Sequence, residues 1–117
     1  MSDFNENQPI FVQIRERIAA MILSEAAQEG EALPSVRSIA ADLSVNPLTV
    51  TRAYDALVDL GVVESRRGMG MFVAAGARDK LLAHERQKFL AEEWPRLRAR
   101  IKSLGLDMDA LLKDTGK

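Results

Sequence analysis

The sequence contains no cysteine, which excludes disulfides and thiolate metal sites and is compatible with a reducing cytosol. It has one histidine, His84, with Glu85 beside it and no cluster of further ligands. Adjacent residues on a helix do not face a common point, so His84 reads as a surface residue rather than a metal ligand. No apolar run approaches membrane-spanning length, and the opening MSDFNENQPI is acidic and polar, unlike a signal peptide. The chain also lacks a Ser/His/Asp set, a paired-carboxylate pocket and a phosphate-cradling loop, which argues against an enzyme. No motif implies a metal, a cofactor or a particular small-molecule effector, and neither an internal repeat nor a low-complexity tract is present. The expectation is a cytoplasmic, non-enzymatic protein with no membrane partner.

What the sequence does contain is a globular balance. Of 117 residues, 47% are hydrophobic and 28% charged, which suits one modest core with a short appendage. The net charge of −1 would disfavour a polyanionic partner if it were spread evenly, but it is not. Residues 1–34 carry two arginines against six acids, while residues 74–117 carry ten basic residues against seven acids. In between, Arg37, Arg52, Arg66 and Arg67 sit beside turn signals, and the acids there fall mostly late in the expected helices. A local basic face can exist on an acidic protein.

Residues 1–8 form a polar lead-in. From Pro9, the residues Ile10, Ile14, Ile18, Met21 and Ile22 recur at helical spacing, with Val12 less regular, and Glu29-Gly30-Glu31 is expected to end this helix. In LPSVRSIAADL, Ser35 is a good N-cap, and Val36, Ile39, Ala40 and Leu43 give one apolar face. A turn at Ser44-Val45 follows. Asn46 then caps a helix that starts with Pro47, buries Val50, Ala53, Tyr54, Leu57 and Leu60, and stops at Gly61. Two short helices joined so tightly read as a helix-turn-helix over about 35–60. After Gly61, the β-prone runs VVES and MFVA flank RRGMG and read as a hairpin over about 62–74. The fold class is therefore mainly α with a small β-hairpin: a winged helix-turn-helix at 8–76, then a helical tail at 77–114.

With Val50 turned to the core, helical geometry puts Leu48, Arg52 and Asp55 on the outward arc, with Thr49 and Thr51 on its flanks. Side chains near the start of a second helix-turn-helix helix are those that reach base edges in a major groove. Arg52 could pair with guanine, Thr49 or Thr51 with bases or phosphate, and Leu48 with a thymine methyl, while free N–H groups at the helix start would attract phosphate. The same residues also read as a plain capped helix, with Arg52–Asp55 a solvated ion pair and Leu48 tucked against the preceding helix. Arg66 and Arg67 would stand at or near a wing tip, able to meet phosphate or a minor groove, or simply to solubilise a hairpin. Arg37 is likewise either a phosphate contact or a solvated arginine. In the tail, Leu90, Trp94, Leu97, Ile101 and Leu104 follow a heptad-like seam. Pro95 should kink or break the helix close to Trp94, and Asp107 caps a last short helix through Leu112. The seam either pairs two copies or folds back on its own domain.

The segments PIFVQIRERIAAMI and LPSVRSIAADLSVNPLTVTRAYDALVDLGVVESRRGMGMFV resemble the winged-helix domain of the GntR family of bacterial transcription regulators. The match spans roughly residues 8–75. The joint occurrence of LPS-x-R, TV-x-x-AY, L-x-x-LG and RGxGxFV is highly specific, and the Asn-Pro step and short tail look like the YtrA-type branch. The resemblance implies a double-stranded-DNA-binding homodimer, usually a repressor, that reads an inverted repeat. It points to Arg37, to the start of the recognition helix around Asn46–Arg52 and to the Arg67-Gly68 wing as DNA contacts; Ser35 and Arg66 beside them complete the expected set, and the tail seam is the expected dimer interface. Many relatives have Ser-Arg at Asn46-Pro47, Arg at Thr51 and Thr at Met71, so the base-reading set differs here. A winged-helix protein-interaction module is the alternative, separable by salt dependence, since phosphate contacts make affinity fall steeply with salt.

Overall fold

The computed structural model describes residues 8–113. Its helices and strands run in the order α1 (Ile10–Leu23), α2 (Val36–Leu43), α3 (Pro47–Asp59), β1 (Val63–Arg66), β2 (Gly70–Val73), α4 (Ala77–Lys88), a π-helical turn (Phe89–Glu93), α5 (Trp94–Ser103) and α6 (Met108–Lys113). The polar lead-in falls outside the described residues except for Gln8, as does Asp114 at the tail's far end.

Two compact units divide between Leu82 and Ala83. In the first, α1 and α3 bury Ile14, Ile18 and Ile22 against Val50, Tyr54 and Leu57, and Val62 and Leu81 complete the centre. This unit runs past Gly76 because Ala77 and Leu81, one turn apart on α4, are core residues. The first turns of α4 are also tied down by polar contacts. Gly76 N–H donates to Glu29 Oε1 at 3.1 Å, Arg78 Nε donates to the Leu23 carbonyl at 2.9 Å, and Lys80 Nζ donates to the Gly61 carbonyl at 3.3 Å.

Helix α1 ends at Leu23, not near Gly30. Glu25 takes the left-handed conformation (φ 67°), and Ser24 supplies its hydroxyl to the Met21 carbonyl at 3.4 Å. A tertiary demand overrides the local pattern here. Residues 30–33 turn to run along β2, with Gly30 N–H on the Val73 carbonyl (2.8 Å), Val73 N–H on the Glu31 carbonyl (2.9 Å) and Leu33 N–H on the Met71 carbonyl (2.8 Å). Ala32 faces Phe72 in an antiparallel bridge. Ile10, expected on the buried stripe, is exposed, and Phe11 and Val12 are half-buried at that end.

In the second unit the backbone stays helical through Pro95 instead of breaking. Proline removes the donor of an i→i−4 bond and crowds the preceding turn. The turn before it widens: Trp94 N–H bonds the Phe89 carbonyl, five residues back, and a π turn absorbs the misfit. Gly105 (φ 70°) ends α5, and Asp107 Oδ1 accepts from Asp109 N–H at 3.3 Å at the start of α6.

Candidate nucleic-acid interface

Both helices of the helix-turn-helix are capped by their own side chains. Ser35 Oγ accepts from Ser38 N–H at 2.9 Å, and Asn46 Oδ1 accepts from Leu48 N–H at 2.8 Å. Ser44 takes the left-handed conformation (φ 55°) between them and makes the turn tight. Tyr54, fully buried, donates its hydroxyl to the Pro34 carbonyl. That bond fixes the backbone just ahead of Ser35 to α3, and so sets where Arg37 starts. Burial holds the Tyr54 phenol well above its ordinary pKa, because an ionised oxygen would lose its water.

The start of α3 presents no free N–H to a phosphate. Pro47 has none, Leu48 N–H goes to Asn46 Oδ1, and Thr49 N–H goes to the Asn46 carbonyl at 2.9 Å. What the start of α3 offers a phosphate is therefore the positive end of its dipole rather than unbonded N–H groups. At α2, the Val36 and Arg37 N–H groups have no partner among the described residues, and the exposed Arg37 side chain is also unpaired there. Arg37 and Pro47 line one groove with Val36, Ala40, Ala41 and Val45, so the starts of α2 and α3 meet on a common surface.

On α3 itself, Leu48 is 71% exposed and does not tuck against α2. Thr49 and Thr51 are half-buried on the flanks, and the Thr51 hydroxyl donates to the Pro47 carbonyl at 3.1 Å. Arg52 and Asp55 are both exposed, but Arg52 does not pair with it. Its guanidinium lies over the Phe11 ring of α1, 4.1 Å from the centroid.

The wing separates its two arginines. Arg66, paired in register with Gly70, stacks over Phe72 at 4.1 Å and holds Glu64 Oε1 with Nε at 3.3 Å and Nη2 at 3.2 Å. Residues two apart on a strand share a face, which is why Glu64 and Phe72, its register partner, both reach Arg66. Arg67 is exposed in the turn and makes no hydrogen bond or ion pair among the described residues. Gly68 (φ 76°) and Gly70 (φ 114°) shape that turn, and Met69 between them is 69% exposed. Phe11, Glu64, Met69 and the Tyr54 hydroxyl were not singled out by sequence. Glu64 could have been, from its i, i+2 spacing to Arg66.

Of the large apolar side chains left exposed, Phe89, Leu90, Leu97, Leu104, Leu106 and Leu112 all lie in the second unit. Within the expected seam, Leu90 is 61% exposed, Leu97 and Leu104 are exposed, and Trp94 and Ile101 are half-buried. Among the described residues no group of His, Asp and Glu could hold a metal, and no helix is long and apolar enough to cross a membrane.

A capped helix-turn-helix followed by a glycine-turned hairpin defines a winged-helix protein. Residues 11–73 match the family described as bacterial regulatory proteins, gntR family, and the chain belongs to it. It is 33% identical to the uncharacterized HTH-type transcriptional regulator YhcF of Bacillus subtilis, across 96% of this chain and 91% of that one. Identity to the HTH-type transcriptional repressor YtrA of the same organism is 34%, over 68% of this chain and 62% of the relative. A solved GntR family transcriptional regulator from Listeria monocytogenes superposes with a TM-score of 0.78 at 25% identity, covering 94% of this chain and 95% of that one. The protein is a DNA-binding transcription regulator of the GntR family, not an enzyme.

Proposed function

We propose that the protein is a cytoplasmic homodimeric repressor that reads an inverted-repeat operator through α3 and anchors on phosphates through Arg37, the start of α2 and Arg67. The observation that carries the reading is the exposed start of α3, where Leu48 stands in solvent one turn before Arg52. A lone exposed leucine is ordinary on a protein surface. At the first turn of a second helix-turn-helix helix it is placed for a thymine methyl, with Arg52 for a guanine. Ser35, Asn46 and Thr51 spend an oxygen or hydroxyl on the helix starts, so they shape the surface more than they read it; Thr49 flanks it, and Gly68 lets the wing turn.

The repressor role is supported by the likeness to YtrA. A two-fold dimer is supported by the tail's exposed apolar residues, for which Leu90, Trp94, Leu97, Ile101 and Leu104 form the seam. Two-fold pairing is the commonest assembly and suits half-sites roughly 34 Å apart. Cytoplasmic placement follows from a partner that is the chromosome.

Selecting duplexes from a random library with wild-type protein gives the operator, which should be a palindrome. Arg52→Ala should then cost about 1–3 kcal/mol and relax preference at one base pair per half-site. Equal losses on selected and random DNA would reduce Arg52 to a phosphate anchor. Binding that ignores salt would remove DNA phosphate from the reading altogether.

A further inference from the structure

The two guanidinium–aromatic stacks of the first unit share a centroid distance of 4.1 Å but differ in what they leave free. A guanidinium offers its face to a ring and its in-plane N–H groups to acceptors. In the wing, Glu64 occupies one edge of Arg66 through Nε and Nη2, so part of that arginine's donor set is already engaged within the hairpin. On α3, Phe11 takes the face of Arg52 and no carboxylate takes its edge among the described residues. Asp55 lies on the same exposed arc, three residues on, at a spacing where helix ion pairs form. An arginine drawn to Asp55 would spend there the donors that a guanine needs.

We propose that Phe11 is a positioning residue for base recognition: its ring holds the Arg52 guanidinium by the face, away from Asp55, with the donor edge free. The inference rests on reading Arg52 as a base contact. Geometry favours α1 for this task. Phe11 is anchored half-buried at the start of a helix whose Ile14 and Ile18, three and seven residues on, are core residues, so the ring is carried on a rigid element. A free arginine also loses rotamer freedom when it binds, and a side chain already stacked loses less.

The test uses full-length protein and the duplex selected by wild type, with Kd from fluorescence anisotropy and base preference from the four duplexes varied at the position that Arg52→Ala relaxes. Phe11→Leu removes the π face and keeps apolar bulk. It should weaken binding about two- to fivefold and flatten discrimination at that base pair alone, as expected for an exposed cation–π contact. In an Arg52→Ala background the same change should have no effect, and Phe11→Tyr should restore wild-type affinity and preference. Phe11→Met repeats the experiment if the leucine variant melts early. A loss spread evenly over all four duplexes, or one that persists in the Arg52→Ala background, overturns the positioning role, as does a neutral Phe11→Leu beside an effective Arg52→Ala. A neutral Arg52→Ala overturns the base contact itself, and the positioning falls with it.

Discussion

Replacing Tyr54 with phenylalanine removes one oxygen and nothing else, from a site with no measurable exposure. The hydroxyl reaches the Pro34 carbonyl, twenty residues earlier in the chain, and is the polar tie between α3 and the segment that launches α2. Its loss leaves that carbonyl short of a donor, a cost of about 1–3 kcal/mol. For a unit of this size each kcal/mol is worth about 4–8 °C in Tm, so the variant should melt several degrees below wild type. A second signature is pH dependence. Burial raises the folded-state pKa above the unfolded value of about 10, so the fold prefers the neutral phenol. The tyrosine's share of stability is fully present below about pH 10 and is lost as pH rises towards the folded pKa, by up to about 1.4 kcal/mol per pH unit. The phenylalanine variant has no phenolic proton to lose, so denaturant melts of the two proteins should converge on the alkaline side. Because the chain has a single tyrosine, phenolate absorbance reports on this residue alone. A phenol that ionises at its ordinary pH in folded protein, or a Tyr54→Phe melt that overlays wild type, would refute the buried tie.

The wing's arginines should separate cleanly. Arg67→Ala is expected to lower the slope of log K against log salt by about one unit, while Arg66→Ala, already engaged with Glu64 and Phe72, should leave the slope nearly unchanged; equal effects would mean that Arg66 releases Glu64 on binding. Asn46→Ala should cost about 1 kcal/mol of stability through the lost cap on Leu48 N–H, checked by urea melts, and a neutral result would show that Pro47 alone starts the helix. Leu97→Glu with Ile101→Glu should give a folded monomer by sedimentation, with much weaker operator binding. Wild-type protein that is already monomeric at micromolar concentration yet binds the palindrome tightly would sink the dimer.

Where the residue types themselves dictate the backbone, the structure could be read from sequence. Ser35 and Asn46 cap, Pro47 opens a helix, Gly61 closes it, and the glycines of RRGMG turn a hairpin. What was not legible depends on partners distant along the chain. The stretch from Ser24 to Gly30 keeps a helical composition, but its successor pairs with β2 some forty residues later, and the helix stops early, with a glutamate in the left-handed region. At the site, the arginines were visible as arginines. Which of them is free was decided by Phe11 and Phe72, whose positions only the fold supplies, and by Glu64, whose two-residue spacing from Arg66 was there in the sequence. Pro95 shows the converse: its missing N–H was legible, but the backbone's response, one widened turn, was not.

The run from Gly30 to Leu33 has a bearing on how the wing is held. Two four-residue strands alone are marginal in water at best. Here β2 gains three further hydrogen bonds from a loop on the far side of two helices in the chain, so that loop serves as a third strand-like neighbour to the hairpin. The wing that carries Arg67 is thus tied through β2 to the loop that leads into α2, and a change in that loop reaches the wing without touching it.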